Sequence, residues 1–449
     1  MASQSEPDHW IDATGCLRWG PQNPTGVPRV EMKIVAAAMS QPDFKLAYLD
    51  RTFGIYRPCT EQDNQHLREL IDIFEAPQTS ADLAFYWRNR ASVIKNFEAE
   101  TGRNVSALLT RTSKRKGLLY QTTKTLVRML VNGAKLTYRA TGWLPFAGRV
   151  NKAVPDGSRL LISHIVDRRD VCRNAITEQK LQTRYMVHDI IPLKEPETHP
   201  ARMVAGFKRW LLRAADENAK LVCVSQGTAN DVASWYGEQP NRPFPASVGV
   251  CALTGVGLPV DGPTEPANAL SGKQFALYVS TFNTRKNHDF IVEVWSELIN
   301  RLGLETVPEL VLIGRDKPYK SFKAALEKHP HAASKVHNLG SVSNEMLRWA
   351  YQSCTFVVFP SSAEGWGIGV TEALRFGKPV IHTDTPQLNE AGHSLMPSLP
   401  NRDLGAWTDQ ISSWITDGDS LNVYQITARN FDETRAGAFE NCVLSTLRA

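Results

Sequence analysis

Two glutamates eight residues apart are the strongest chemical signal in the sequence. Glu364 and Glu372 lie in the run EGWGIGVTEAL, which follows the apolar segment Phe356–Phe359. That segment is predicted to be a buried strand, and a helix is predicted to begin near Gly367. Eight helical steps leave a residual rotation of about 80°, so both carboxylates can line one side of the same crevice.

The glycines of this run suit the binding of a diphosphate. Three glycines let the backbone come close to a ligand. The start of the helix adds unpaired N–H groups and the positive end of the helix dipole. A carboxylate would repel a phosphate, so the two glutamates are expected to meet hydroxyls of a ribose or a sugar. A solvated pair of glutamates at a helix start is the alternative.

The elements that must position this run alternate between strands and helices. From residue 159 onward, short apolar segments alternate with segments of helical period, and residues 255–272 interrupt this pattern with four Gly and three Pro. Such a pattern predicts an α/β protein of two doubly wound, Rossmann-like domains that face a cleft. The predicted divisions are an N-terminal domain (1–258) with a mostly helical insertion (about 40–155), a linker (259–272), a C-terminal domain (273–421) and a helix crossing back (422–449).

Positive charge is concentrated in one stretch of the chain. The net charge is +5, yet residues 101–155 contain eleven Lys and Arg and no Asp or Glu. Apolar residues recur among these basic residues, which is typical of amphipathic helices that bind an anionic membrane surface. A solvated face of a helical insertion is the alternative. No nucleic-acid-binding motif is recognised, so no nucleic-acid partner is expected.

Composition excludes several other classes of protein. Apolar residues make up 42% and charged residues 22%, as in ordinary soluble globular proteins, and no apolar run approaches the length of a membrane span. The polar N-terminus resembles neither a signal peptide nor a transit peptide, so we expect a cytoplasmic protein. The seven cysteines include no CxxC pair and are expected to be free thiols.

Several segments together resemble one enzyme family. Glu364-x7-Glu372 resembles the EX7E motif of retaining glycosyltransferases of the GT-B fold, the large family 4. Residues 279–287, which end in RKN, resemble the family segment that carries a phosphate-binding lysine. Residues 25–30 (TGVPRV) and 188–193 (HDIIPL) are similar to segments of bacterial polysaccharide mannosyltransferases. The resemblance covers the C-terminal domain continuously and the N-terminal domain in patches.

The resemblance implies a role for each matching residue. In the implied catalytic group are Glu364, His188 and Lys286. The implied contacts to the donor nucleotide and its diphosphate are Gly26, Arg285, Lys286, Gly365, Trp366, Gly367, Ile368 and Glu372. Asp189, with Glu364, is implied at the sugar or acceptor. Many family members carry a Gly-Arg pair where this chain has Ser280-Thr281, which leaves Arg285 as the available second cation.

The implied activity is transfer of a sugar, with GDP-mannose favoured, from a nucleotide diphosphate to a lipid-linked or oligosaccharide acceptor in bacterial surface polysaccharide synthesis. The family retains the anomeric configuration. Neither a metal nor another cofactor is expected, because Lys286 and the helix start would neutralise the diphosphate. The basic stretch would hold the protein on the inner face of the cell membrane, as a peripheral protein.

Other functions are weighed against this one. The same architecture could serve a sugar phosphorylase, a nucleotide-sugar hydrolase or a catalytically silent scaffold that binds a nucleotide sugar. A dehydrogenase is disfavoured because the G-x-G-x-x-G fingerprint is absent. Asp417-Gly418-Asp419 matches the DxD pattern of metal-dependent transferases, but it lies in a predicted turn between helices, away from any predicted strand end.

Overall fold

The structure is a computed structural model that describes residues 9–19, 26–50, 54–75, 143–144, 148–149, 153–163, 171–239, 243–315, 319–431 and 438–449. Most of the basic stretch 101–155 lies outside the described residues, as does Thr25 of the TGVPRV segment. The elements below are numbered over the described residues.

A seven-stranded sheet forms the centre of the N-terminal half. The strands of this half are β1 (His9–Asp12), β2 (Phe44–Asp50), β3 (Ile55–Pro58), β4 (Trp143–Leu144), β5 (Gly148–Arg149), β6 (Arg159–Ile162), β7 (Gln182–Val187), β8 (Lys220–Cys223) and β9 (Ser247–Val250). The sheet order is β3-β2-β1-β6-β7-β8-β9, while β4 and β5 pair separately. From β2 to β9 the neighbouring strands are parallel, and β3 joins β2 as an antiparallel edge.

Helices cover this sheet. They are α1 (Thr14–Leu17), α2 (Val27–Met39), α3 (Glu61–Glu75), α4 (Val171–Glu178), α5 (Ile191–Lys194), α6 (Ala201–Asp216) and α7 (Gln226–Gly237). Helix α2 starts after Gly26, whose φ of 58° suits a residue without Cβ, and has Pro28 in its first turn. It buries Val30, Ile34 and Val35, which share one face at helical spacing.

A six-stranded parallel sheet forms the centre of the C-terminal half. Its strands are β10 (Phe275–Val279), β11 (Glu309–Ile313), β12 (Val336–Gly340), β13 (Phe356–Phe359), β14 (Val380–Thr383) and β15 (Ser398–Leu399), in the order β12-β11-β10-β13-β14-β15. The helices are α8 (His288–Leu302), α9 (Lys320–Lys328), α10 (Pro330–Ala333), α11 (Asn344–Ser353), α12 (Ile368–Arg375), α13 (Pro386–Ala391), α14 (Leu404–Thr416) and α15 (Gly418–Arg429). The predicted α/β class with two such sheets is confirmed. None of the described helices is both long and apolar enough to span a membrane.

The start of the predicted helical insertion needs correction. Residues 44–58 form β2 and β3, a hairpin at the edge of the N-terminal sheet, and helix begins again at Glu61. Phe44, Leu46 and Leu49 are buried, as is Tyr56 on the partner strand. Two short β-forming runs separated by a Gly-containing turn were a hairpin signal that the helical interpretation overlooked.

A terminal helix and a disulfide connect the end of the chain to the N-terminal half. Helix α16 (Ala438–Arg448) packs on α2 and β6, and Arg159 donates a hydrogen bond to the Leu447 carbonyl at 2.9 Å. Cys442 on this helix forms a disulfide with Cys251, which follows β9. The expectation that all seven cysteines are free thiols is therefore wrong, because the returning helix brings together two cysteines 191 residues apart.

Candidate active site

The sheet topology brings two functional loops of the C-terminal half together. Strands β10 and β13 are parallel neighbours, so the loops that follow them meet at the same edge of the sheet. The loop after β10 carries Arg285 and Lys286, and the loop after β13 carries Glu364. Helix α12 begins at Ile368, directly after Gly367, which has a φ of 113°. A Cβ on Gly367 would approach a Leu388 methyl carbon to 2.5 Å, so glycine is required at this helix start.

Glu364 contacts both basic residues. The Lys286 ammonium donates a hydrogen bond to the Glu364 carboxylate. The Arg285 guanidinium lies 3.3 Å from the other carboxylate oxygen and donates to the Ala363 carbonyl at 2.5 Å. A short 3-10 turn, Thr284–Lys286, allows these two consecutive residues to reach the same carboxylate. Arg285 therefore places the second positive charge beside Lys286, although the two residues are adjacent in sequence.

Burial makes this cluster electrostatically strong. Lys286 is 7% exposed, and its burial lowers the pKa of the ammonium to about 8 against the opposing attraction of Glu364. Burial would raise the pKa of the Glu364 carboxyl, but the charges of Lys286 and Arg285 outweigh it and lower that pKa to about 2. At neutral pH the three side chains are therefore ionised, and Glu364 is no proton donor.

The N-terminal half contributes a wall opposite this cluster. His188 and Asp189 follow β7, and His188 Nε2 donates a hydrogen bond to the Ser163 carbonyl at 2.6 Å. The Asp189 carboxylate accepts from the Ile191 backbone N–H at 3.0 Å, and its charge raises the pKa of Lys286. A Cβ on Gly365 would lie 1.7 Å from the His188 carbonyl oxygen, so the two halves touch at a glycine.

Glu372 lies at a second contact between the two halves. One carboxylate oxygen accepts hydrogen bonds from Arg29 on α2 and from the Leu258 backbone N–H, each at 2.7 Å. The other accepts from the Tyr351 hydroxyl at 2.9 Å. The side chain is 5% exposed. An ionised carboxylate offers about four acceptor positions, so little capacity remains for the ribose hydroxyl expected from the resemblance.

A cavity of about 280 Å³ adjoins this contact. Arg29 and Lys33 of α2 line one side of it, and Arg375 and the segment around Gly257 line the other. Three basic residues give the cavity a lining suited to anionic ligands.

The remaining predicted residues are Gly26, Ile368 and Trp366. Gly26 precedes α2, and a Cβ there would meet no heavy atom of the described residues within 4 Å. Ile368 is half-buried at the first position of α12. The Trp366 side chain is buried and donates to the Thr371 hydroxyl at 3.0 Å, so its backbone is the part that remains for a donor.

Sequence reasoning missed four residues that hold the site together, three of which join the two halves. Arg29 could have been found, because it lies one helical turn after Gly26 in the TGVPRV segment. Glu390 lies on α13 and was given no role. Thr228 carried no sequence signal, because its contact with the Gly365 carbonyl joins the two halves. Tyr351 carried none either, because its contact with Glu372 joins two helices of the C-terminal half that are distant in sequence.

Carboxylate, thiolate and imidazole side chains are the usual protein ligands of metal ions. Over the part of the chain that the structure describes, no three His, Cys, Asp or Glu side chains form a group that could hold a metal ion. Asp417 of the DxD match caps α15, where its carboxylate accepts from the Asp419 backbone N–H at 3.1 Å.

Comparison with known families assigns the C-terminal half. The family described as "Glycosyl transferases group 1" matches residues 264–431, which include Lys286, Glu364 and Glu372. This match lies within the C-terminal half of the chain. The predicted resemblance to GT-B glycosyltransferases is thereby confirmed for this half.

Curated relatives of the chain include two mannosyltransferases of Escherichia coli. The chain is 30% identical to "Serotype-specific mannosyltransferase WbdA" over 217 residues, which are 46% of this chain and 26% of WbdA. It is 24% identical to "O-antigen chain mannosyltransferase B" over 273 residues, 58% of this chain and 68% of that protein. The match thus spans about a quarter of WbdA. The predicted similarity to bacterial polysaccharide mannosyltransferases is confirmed.

Solved structures establish the fold over the whole chain. WaaG, "a glycosyltransferase involved in lipopolysaccharide biosynthesis", superposes with a TM-score of 0.53 at 13% identity, covering 98% of this chain and 99% of WaaG. Anabaena HepE, solved with UDP and glucose, superposes with a TM-score of 0.52 at 12% identity, covering 99% of this chain and all of that one. The predicted GT-B architecture is confirmed.

Proposed function

We propose that the protein is a retaining, metal-independent glycosyltransferase that uses a nucleotide sugar as donor. The observation that carries this proposal is the pairing of Lys286 and Arg285 with Glu364 beside the start of α12, in a cleft closed by His188 and Asp189. A dianionic diphosphate needs this combination of fixed cations and free backbone N–H groups.

The proposed chemistry follows from the charges that transfer creates. As the glycosidic bond breaks, the diphosphate oxygen gains negative charge and the anomeric carbon becomes cation-like. Lys286 has three N–H donors, so it can keep Glu364 and still donate to the departing phosphate. The N–H groups at the start of α12 add stabilisation that needs no reorganisation during the reaction. Glu364, held ionised, would accept from sugar hydroxyls close to the reacting carbon.

The donor and acceptor are assigned from the relatives. Both curated relatives are named mannosyltransferases, one of them for O-antigen chains, which supports mannose as the sugar and a lipid-linked or oligosaccharide acceptor. GDP-mannose is therefore the proposed donor, and bacterial surface polysaccharide the proposed product.

The proposed location is the inner surface of the cell membrane. Its support is the eleven basic residues between positions 101 and 155, without an acidic one. Flotation with vesicles tests it: binding to anionic vesicles that weakens with salt is expected, because exposed charges are screened. Equal binding to neutral and anionic vesicles would remove this part of the proposal.

A transfer assay tests the activity. The purified protein is incubated with GDP-mannose and a mannose-terminated lipid-linked acceptor, with and without EDTA. We expect an α-linked mannosyl product in both cases, since retention preserves the configuration of the donor. Free mannose without acceptor would indicate a hydrolase, and nucleotide binding without any product would indicate a scaffold.

The depressed pKa of Lys286 predicts a pH dependence. The free enzyme loses the ammonium as pH rises through about 8, so kcat/KM for the donor should fall above that pH. A bound diphosphate favours the charged form, so the fall in kcat should lie at higher pH. Between about pH 8 and pH 10.5, the ordinary pKa of a lysine, Lys286 binds more protons in the unfolded state than in the folded state. Its titration therefore increases the free energy of unfolding as pH rises through this range.

The sign of this linkage separates catalysis from unfolding. The titration of Lys286 does not lower the thermal midpoint of unfolding above about pH 8. Midpoints measured alongside kcat/KM should therefore show no loss of stability from this group while activity declines. Lys286→Arg should remove the alkaline limit, because a guanidinium stays protonated there. An unchanged limit in that variant would assign the pH dependence to another group.

A further inference from the structure

The start of α7 contacts the loop that carries Glu364. Ser225 and Thr228 belong to the N-terminal half, and both hydroxyls donate to the Gly365 carbonyl, at 2.7 and 3.0 Å. Both residues are at most 1% exposed. Ser225 also accepts from the Thr228 backbone N–H at 2.9 Å as the N-cap of α7. One carbonyl next to Glu364 is therefore fixed by two hydroxyls of the opposite half.

A carboxylate of the C-terminal half completes this contact. Glu390, on α13, accepts hydrogen bonds from the Gln226 backbone N–H at 2.8 and 3.0 Å and from the Gly227 backbone N–H at 3.3 Å. These two N–H groups have no partner within the helix, because they lie in the first turn of α7, where a negative charge is favourable. The charge-assisted bonds thus hold α7 of one half against α13 of the other.

Close packing extends this contact along α7 and α13. A Cβ on Gly227 would lie 2.9 Å from the Gln387 side chain, so α7 and α13 approach with no room for one. The Gln387 amide donates to Asp231 of α7 at 2.8 Å. Any opening of the cleft that separates α7 from α13 breaks these bonds together.

We propose that Ser225, Thr228 and Glu390 form a closure latch that positions Glu364 for transfer. The inference rests on the proposed glycosyltransferase function. In the open enzyme the Gly365 carbonyl would lack its two donors, and the loop of residues 364–367 would be free to shift. Closure therefore fixes both Glu364 and the start of α12. The three residues are positioning residues, because their contacts are to the Gly365 carbonyl and to the start of α7.

The test uses variants that remove the latch without altering the site. Thr228→Val removes one hydroxyl at constant shape, and Thr228→Ser restores the hydroxyl. Glu390→Gln removes the charge. Glu297→Gln is the matched control, since Glu297 pairs with Arg301 on the exposed face of α8. Loss of a neutral hydrogen bond, as in Thr228→Val, shifts an equilibrium by about two- to tenfold. Loss of a charge-assisted one, as in Glu390→Gln, shifts it by about tenfold or more.

We expect kcat to fall by these factors in Thr228→Val and Glu390→Gln, with GDP affinity by calorimetry changed less than twofold. Thr228→Ser and Glu297→Gln should behave like the wild type. Small-angle X-ray scattering with GDP bound should show a larger radius of gyration for the two latch variants, a readout that does not need turnover. If the wild type shows no transfer but the latch variants still have a larger radius of gyration than the wild type, the proposed function is wrong and the closure contact stands. Wild-type kcat and scattering in both latch variants would overturn the latch.

Discussion

Replacing Lys286 by alanine is expected to lower the rate of glycosyl transfer by two to three orders of magnitude. The side chain is the buried cation beside Glu364, and removing one preorganised donor to a developing anion typically costs about 10²–10³ in kcat. The loss should exceed the effect on folding, because Arg285 still pairs with Glu364 after the change. Single-turnover rates at saturating donor measure the effect on chemistry directly.

The control for this variant is another lysine of the same domain. Lys273 lies two residues before β10 and pairs with Glu309 at 3.7 Å, at the opposite edge of the sheet from the site. Lys273→Ala should keep the wild-type rate within about twofold, because Glu309 keeps Lys335 and His337 as partners after the change. Near-normal transfer by Lys286→Ala would contradict the assigned role of the lysine.

Replacing Glu372 by alanine should reduce both stability and transfer. The change leaves Arg29 without its partner and the Tyr351 hydroxyl and Leu258 N–H without an acceptor. Removing one member of a buried ion pair typically costs about 3–5 kcal/mol. Urea unfolding should show a decrease of this order, and transfer at a temperature where the variant is folded should fall at least tenfold, or about 1.4 kcal/mol in the barrier.

Arg29→Met separates the two contributions of Glu372. In this variant the carboxylate keeps the Leu258 and Tyr351 donors, so we expect a smaller loss of stability than in Glu372→Ala. If ribose binding dominates, Arg29→Met should retain most of the activity that Glu372→Ala loses. An unfolding free energy in Glu372→Ala equal to that of the wild type would show that the pair does not hold the two halves together.

The sequence predicted the C-terminal half well because its elements are locally determined. Strands β10 and β13 are continuous apolar runs, and β13 was predicted with the bounds that the structure has. Parallel strands buried on both faces give this pattern, and capped amphipathic helices follow them. The hairpin β2–β3 was missed because its residues were absorbed into a longer helical pattern, and β9 was missed because Ser247–Val250 is short and only partly buried.

The candidate site was predictable as far as its residues share a loop. Glu364, Gly365 and Gly367 were found together because one motif carries them, and Lys286 because it ends a segment that resembles a known one. Contacts between the halves could not be found in this way. The pairing of Glu390 with the start of α7 joins residues more than 160 positions apart, and neither sequence region indicates the other.

Calorimetric titration with GDP and GMP tests the central claim most directly. If Lys286 binds the outer phosphate of the donor, the wild type should bind GDP about 10- to 150-fold more tightly than GMP, the range of a charge-assisted hydrogen bond. Lys286→Ala should keep only the part of this preference that Arg285 and the start of α12 supply. A variant that keeps the full preference for GDP would contradict the account, because the lysine would then have no part in holding the departing diphosphate.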